Sequence, residues 1–149
     1  MKKLLVLFCS IVFAMNVDAQ KANPVKWTFT AIKKSDKQYE VVASATIDAP
    51  WHMYSQFVSG GPIPTTFTFS KNPLIQLAGK TKEKGKLQKM YDKNFKTELS
   101  FFSDKVDFIQ TVNLKVASKT NLVGMVEYSI CNDDRCLPPA KVSFEVALN

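Results

Sequence analysis

Apolar and polar residues alternate along most of the chain, and this alternation predicts β-strands. Near the start Val25, Trp27 and Phe29 are separated by polar residues, and near the end Val142 and Phe144 are. The same period of two recurs in several runs: 25–31, 39–47, 65–69, 106–114, 122–130 and 142–148. Successive side chains of a strand point to opposite faces, so each run has one face that can be buried.

Turn-forming residues separate the runs and limit the length of each strand. They occur at 35–36, 48–50, 60–62, 72–73, 103–104 and 119–121. Residues 82–94 resemble a helix most, but Gly85 interrupts them and no apolar stripe repeats every 3.6 residues. We therefore predict eight or nine short strands, no helix, and an all-β, immunoglobulin-like antiparallel β-sandwich that fills residues 20–149 as one domain.

Residues 1–19 have the features of a signal peptide. Lys2 and Lys3 precede an apolar run at 4–14, and Val17 and Ala19 stand where a signal peptidase reads small residues. The apolar run is shorter than the roughly 20 residues that span a bilayer. We expect cleavage near Ala19, which also removes Cys9, and a periplasmic mature chain without a membrane span.

The chain carries a formal net charge of +7, and many of its lysines lie close together. They are Lys80, Lys82, Lys84, Lys86, Lys89, Lys93 and Lys96. Such a cluster is typical of a solvated loop and strand face, but it can also attract an acidic partner. Nucleic acid is not an expected partner of an exported protein.

Two cysteines, Cys131 and Cys136, remain after the signal peptide is removed. They flank Asn-Asp-Asp-Arg between two strand-like runs, so a bond between them is local to one hairpin and cannot join two sheets. Export places the thiols in an oxidising compartment, where a disulfide is expected. The disulfide is either a structural staple or a redox centre, and the spacing alone leaves both interpretations open.

The stability that the disulfide adds and the reactivity of its thiols favour one of these interpretations over the other. A ring this small contributes about 2–3 kcal/mol or less, and a domain of this size does not need it. Asp133 and Asp134 disfavour a thiolate, Arg135 partly offsets them, and no helix N-terminus is available to lower the thiol pKa. We therefore expect a disulfide that is attacked by the thiolate of another protein. Pro138 and Pro139 stiffen the exit of the hairpin.

A zinc site is not expected from these residues. His52 is the single histidine, and two cysteines with one histidine are one ligand short of a typical structural site. We expect neither a metal nor an organic cofactor.

Together with several flanking stretches, the cysteine hairpin resembles the N-terminal periplasmic domain of the DsbD thiol:disulfide interchange proteins. The resemblance covers residues 24–149. It is carried by Pro24–Trp27, Asp48–Ser55, Gly60–Thr65, Val126–Cys131 and Cys136–Pro139. The Tyr-x-x-Cys and Cys-x-Pro-Pro patterns are the most specific of these features.

The resemblance implies a redox mechanism for an immunoglobulin-like domain. Electrons reach the disulfide from a thioredoxin-like protein, and the resulting dithiol reduces periplasmic disulfide-bearing proteins. It further implies that Cys136 forms the mixed disulfide with a partner and that Cys131 resolves it. The chain would then be a component of a protein-disulfide reductase.

An aromatic cap over the sulfurs is also implied, in residues 91–96, with Phe95 as the capping ring. The other residues expected around the site are Tyr91, Trp51, His52, Tyr54, Asp133 and Asp134. Each has an ordinary structural interpretation as well. Phe95, Trp51 and Tyr54 can be packing residues, His52 a hydrogen-bonded polar residue, and the two aspartates turn formers.

The chain departs from the family pattern in two ways. Four residues separate the cysteines, where some members have five. The sequence stops at Asn149 without the membrane and thioredoxin-like domains, so we expect a separate chain to supply electrons. The competing hypothesis is a binding module with a structural disulfide, which recognises an envelope protein through Lys80–Lys96 or Trp51–Pro64.

Overall fold

The computed structural model describes residues 23–93 and 95–149, and it forms eleven antiparallel strands without a helix in that part of the chain. The expected signal peptide, Cys9 and Asn94 of the expected cap segment lie outside the described residues. The strands are β1 (Val25–Ser35), β2 (Gln38–Ile47), β3 (His52–Tyr54), β4 (Thr66–Phe69), β5 (Ile75–Gly85), β6 (Gln88–Asp92), β7 (Thr97–Phe102), β8 (Lys105–Leu114), β9 (Thr120–Tyr128), β10 (Ile130–Cys131) and β11 (Ala140–Leu148).

Two sheets pack face to face and form the predicted sandwich. Sheet 1 has the strand order β1-β2-β8-β5, and sheet 2 has the order β11-β9-β4. Aromatic rings join them, with ring centroids 4.5 Å apart for Phe29 and Phe144 and 5.1 Å apart for Phe67 and Phe108. Most of the alternating apolar positions of both sheets are buried or half-buried, as the period of two requires. Full burial of each large apolar side chain contributes about 1.5–3 kcal/mol.

A third sheet, here named the site sheet, has the order β10-β3-β7-β6. Its strands are short, and alternation divides its residues between two clusters. Met53, Phe102 and Ile130 join the main core, whereas Tyr54 and Cys131 form a smaller cluster with Val58 and Leu99. The site sheet therefore holds the cysteine hairpin on a small core that is separate from the main one.

The predicted count of eight or nine strands was too low. Two strands, β3 and β10, are only three and two residues long, too short to show a period of two. Residues 82–93 include the end of β5 and all of β6, in agreement with the prediction that this segment is not helical.

Several of the clustered lysines lie on β5, which is an edge strand of sheet 1. Lys80, Lys82, Lys84 and Lys86 are exposed in or directly after this strand. Charged side chains on an edge prevent pairing with a strand of another molecule, which is a sufficient structural reason for their presence.

No helix long and apolar enough to cross a membrane is found in residues 23–93 and 95–149.

Candidate functional site

The cysteine hairpin is closed by hydrogen bonds as well as by the disulfide. The Asn132 amide donates to the Arg135 carbonyl at 2.9 Å, and the Leu137 amide donates to the Ile130 carbonyl at 3.0 Å. The Asn132 side-chain oxygen accepts from the amides of Asp134 and Arg135 at 3.0 and 2.8 Å. The turn is therefore held by the Asn132 side chain, which is a common role for asparagine.

A disulfide joins Cys131 and Cys136, whose Cα atoms are 4.0 Å apart, and the two residues differ sharply in exposure. Cys131 lies on β10, is 2% exposed, and belongs to the small core of the site sheet. Cys136 lies on the outgoing side of the hairpin and is exposed. Thiol–disulfide exchange requires the incoming thiolate to reach one sulfur. Access from solvent therefore favours attack at Cys136.

A cleft of about 260 Å³ opens beside the disulfide. It is lined by both cysteines and the hairpin loop between them, and from the site sheet and its turn by His52, Tyr54, Met90, Asp92 and Phe95. Asp133 and Asp134 lie in that loop and are exposed.

The Phe95 ring is a wall of this cleft and is not part of the buried core. Phe95 is 44% exposed, and its amide donates to an Asp92 carboxylate oxygen at 3.0 Å. This bond anchors the turn after β6 to the strand end. The ring thus lies at the same opening as both cysteines.

His52 and Tyr54 form a buried polar pair on the floor of the cleft. His52 Nε2 is 3.2 Å from the Tyr54 hydroxyl, and the His52 ring packs against Phe101 with centroids 4.7 Å apart. Burial lowers the pKa of His52, and the charge of Asp133 partly opposes this effect. Burial, with a smaller contribution from the Asp92 charge, raises the pKa of Tyr54 to about 12. At neutral pH both side chains are therefore uncharged.

Two of the sequence-predicted residues lie outside the cleft. Tyr91 is 67% exposed and is not among the cleft-lining residues, because alternation along β6 directs Met90 and Asp92 to the cleft instead. Trp51 lines a separate groove on the other side of the hairpin, and the Arg135 guanidinium lies 5.9 Å from its ring centroid. This contact is a cation–π interaction.

The second groove is larger and mostly apolar. It has a volume of about 730 Å³, and its lining includes Pro24, Ala49, Leu137 and Pro138 along with Trp51. Arg135 contributes to both the groove and the cleft, so the hairpin tip separates the two.

Sequence reasoning did not single out Met90, Asp92 or Asn132 as site residues, although Asp92 belongs to the expected cap segment 91–96. The signal for Asn132 was present, since asparagine directly after a strand often starts a turn. The signal for Met90 and Asp92 was weak, because residues 82–94 are largely polar and show no clear period.

The arrangement can present one sulfur of a disulfide to another protein while keeping the other sulfur buried. The exposed Cys136 lines the cleft together with Phe95 and stands two residues before the stiff exit at Pro138. Such a surface suits docking by a second protein that carries a thiol or a disulfide.

Comparison with protein families gives one match over nearly the whole chain. A family model described as thiol:disulfide interchange protein DsbD, N-terminal, matches residues 17–148. No curated protein sequence matches the chain.

Solved structures of low sequence identity share the fold. The N-terminal domain of Neisseria meningitidis DsbD in the reduced form superposes with a TM-score of 0.54 at 14% identity, covering 83% of this chain and 86% of that one. The N-terminal periplasmic domain of ScsB from Proteus mirabilis gives 0.54 at 14% identity, covering 83% of this chain and 44% of that one. A structure of the complex between the N. meningitidis DsbD and PilB N-terminal domains gives 0.52 at 13% identity, covering 87% and 88%.

Proposed function

The chain belongs to the family of DsbD N-terminal domains, and on that premise we propose that it is a periplasmic thiol:disulfide exchange domain. Its Cys131–Cys136 pair cycles between disulfide and dithiol. The observation that carries the proposal is the unequal exposure of the two cysteines, with Cys131 2% exposed and Cys136 open to solvent beside the cleft.

In the reducing half of the cycle, a donor thiolate attacks Cys136 Sγ. The Cys131–Cys136 bond breaks, its electron pair leaves on Cys131, and a mixed disulfide links Cys136 to the donor. A second donor thiol then displaces Cys136, so the donor becomes a disulfide and the domain a dithiol.

In the discharging half, the Cys136 thiolate attacks a disulfide of the partner to be reduced. Cys131 then attacks Cys136 Sγ, which restores the domain disulfide and releases the partner as a dithiol. Each half of the cycle begins at the sulfur that a partner can reach. The buried sulfur reacts only within the domain.

The residues around the cysteine pair control which molecules reach the sulfurs, and they set the water content and charge around them. The Phe95 ring forms an aromatic wall beside Cys136, and a docking protein displaces water from this wall. Asp133 and Asp134 disfavour a free thiolate at rest. The exchange rate is then set by partner docking more than by an acidic thiol.

The partners we propose are thioredoxin-like redox proteins, supplied as separate chains, and disulfide-bearing periplasmic proteins. Two neighbours in structure support this. One is a DsbD N-terminal domain in complex with another protein domain, and one is described as periplasmic. Residues 1–19 would be removed on export.

Serine variants test the assigned roles on the mature protein. With a disulfide-bearing thioredoxin-like protein as the probe, Cys131→Ser should accumulate a mixed disulfide, because the resolving thiol is missing. Cys136→Ser should capture nothing, and the double variant is the matched control. Equal capture by both single variants would show that the roles are wrong.

The reduction potential separates exchange from a structural disulfide. A redox centre should have a potential clearly above about −300 mV, whereas a structural disulfide lies below that value. Titration of the purified domain against a defined thiol buffer measures it. A value well below the threshold would replace this proposal by a binding module with a stapled hairpin.

A further inference from the structure

The exchange cycle requires the least accessible thiol of the site to lose its proton. Cys131 must act as a thiolate when it resolves the mixed disulfide, but it is 2% exposed and packs with Tyr54, Val58 and Leu99. Burial among apolar groups raises the pKa of a thiol. Hydroxide from solvent has little access to it. A neighbouring group that takes the proton would remove this obstacle.

The strand register places His52 directly opposite Cys131. In the antiparallel pairing of β3 and β10, Cys131 is the partner of His52, and Ile130 is the partner of Met53. Directly opposed residues have Cβ atoms about 4.5–5.5 Å apart and side chains on the same face. Both residues line the cleft, while Ile130 and Met53 enter the main core.

We propose that Nδ1 of His52 accepts the thiol proton of Cys131 in the resolving step. This inference rests on the exchange function proposed above. The single histidine of the chain then has a chemical role in addition to its packing and its hydrogen bond.

The surroundings of His52 suit a proton acceptor. The Tyr54 hydroxyl, 3.2 Å from Nε2, holds one ring nitrogen and leaves the other available. The lowered pKa of His52 keeps the imidazole neutral at pH 7, which is its basic form. The charged groups that face it are Asp133 from the hairpin and Asp92 from β6, and the ring of Phe101 on β7 covers one side.

The resolving step starts from the mixed disulfide between Cys136 and a partner. Cys131 gives its proton to His52, and its thiolate attacks Cys136 Sγ. The bond between Cys136 and the partner sulfur breaks, and the electron pair leaves on the partner sulfur. His52 then releases the proton, so the partner leaves as a thiol and the domain dithiol has been oxidised to a disulfide.

Stopped-flow mixing of the reduced protein with 5,5′-dithiobis(2-nitrobenzoate) separates the two steps. Cys136 releases the first coloured thiolate in a fast phase, and Cys131 releases the second by intramolecular attack. Cys131→Ser should show the first phase only. In His52→Gln the second phase should be about 100-fold slower at pH 7, and the difference should shrink as the pH rises toward the raised pKa of the buried Cys131 thiol, which then ionises without a base.

The pH dependence distinguishes proton transfer from a structural role of His52. A variant that merely loosened the hairpin would slow the second phase by the same factor at every pH, and that result would overturn the inference. A wild-type second-phase rate in His52→Gln at pH 7 would overturn it too. Failure of the first phase at Cys136 would instead refute the exchange function itself.

A measurement on the wild-type protein avoids any folding defect of the variant. Because the untagged mature chain contains one histidine, the NMR titration of its imidazole needs no assignment. In the reduced protein this titration should show a second inflection as Cys131 ionises, and Cys131→Ser should lack it. Identical curves in both proteins would contradict the coupling of the two groups.

Discussion

Reduction of the Cys131–Cys136 bond should lower the free energy of unfolding by only about 2 kcal/mol. The two cysteines are separated by 5 positions in sequence, so the bond closes a very small loop. The loop-entropy relation gives about 7 cal/mol/K for such a loop, which is about 2 kcal/mol at 25 °C. The sandwich core does not depend on the bond, and the hairpin keeps its backbone hydrogen bonds without it.

Urea unfolding of the oxidised and the reduced mature domain measures this difference. For a slope of about 1–3 kcal/mol/M, the midpoint should fall by roughly 1 M on reduction. The double variant Cys131→Ala, Cys136→Ala should unfold near the reduced protein, which controls for effects of the reductant.

The loss of about 2 kcal/mol on reduction also predicts how folding changes the reduction potential of the pair, because the two are linked by a thermodynamic cycle. Because the native state favours the bond by about 2 kcal/mol more than the unfolded chain does, its reduction potential should be about 45 mV more negative than that of the pair in urea. A loss of more than about 5 kcal/mol on reduction, or a reduced domain that does not fold, would refute the reasoning. The disulfide would then be a staple that the fold requires.

Close packing at Gly124, the raised pKa of Tyr54 and the unequal exposure of the two cysteines each have a measurable consequence. Gly124→Ala should destabilise the domain by about 1–3 kcal/mol in urea unfolding, because a Cβ there would lie 2.6 Å from Phe144 Cζ. Since burial raises the pKa of Tyr54 to about 12, the unfolded chain loses that proton near pH 10 before the native state does. The contribution of Tyr54 to stability should therefore be constant below about pH 10 and should fall until about pH 12 in unfolding measured against pH. In the reduced domain, iodoacetamide should label Cys136 at least about tenfold faster than Cys131, as counted by mass spectrometry of peptides.

Controls for these predictions lie close to the perturbed positions. Val123→Ala changes an exposed residue on the same strand as Gly124 and should alter stability by less than about 0.5 kcal/mol. Tyr54→Phe should remove most of the alkaline loss, and a loss of the same size in that variant would contradict the assignment. Equal labelling of both thiols would show that the native hairpin does not protect Cys131.

The strands of the sandwich could be predicted because the alternation of apolar and polar residues that marks each strand lies within one short segment of the chain. The alternation around Val41, Phe108 and Phe144 decides which side chains face inward before any pairing is known, and the structure buries those positions. The local disulfide could be predicted for the same reason, since six consecutive residues contain both cysteines. Short strands such as β3 and β10 carry too few residues for a period to be visible.

The surroundings of the disulfide were predictable only in part. The resemblance placed Phe95, His52 and Tyr54 near the sulfurs, and the structure brings all three to the cleft. It placed Trp51 and Tyr91 there as well, but both lie outside the cleft. Tyr91 neighbours the cleft-lining Met90 and Asp92 on β6, where successive side chains point to opposite faces, and Trp51 precedes β3 and lines the second groove.

The sequence by itself determined the strand faces, the turns and the local cysteine pair, because each depends on residues a few positions apart. Only the tertiary structure decided that Cys131 is buried, that Cys136 is exposed, and that His52 stands opposite Cys131. These facts depend on pairing between segments far apart in the chain. A shift of one residue in that register would turn His52 to the other face, and no local pattern specifies the register of such short strands.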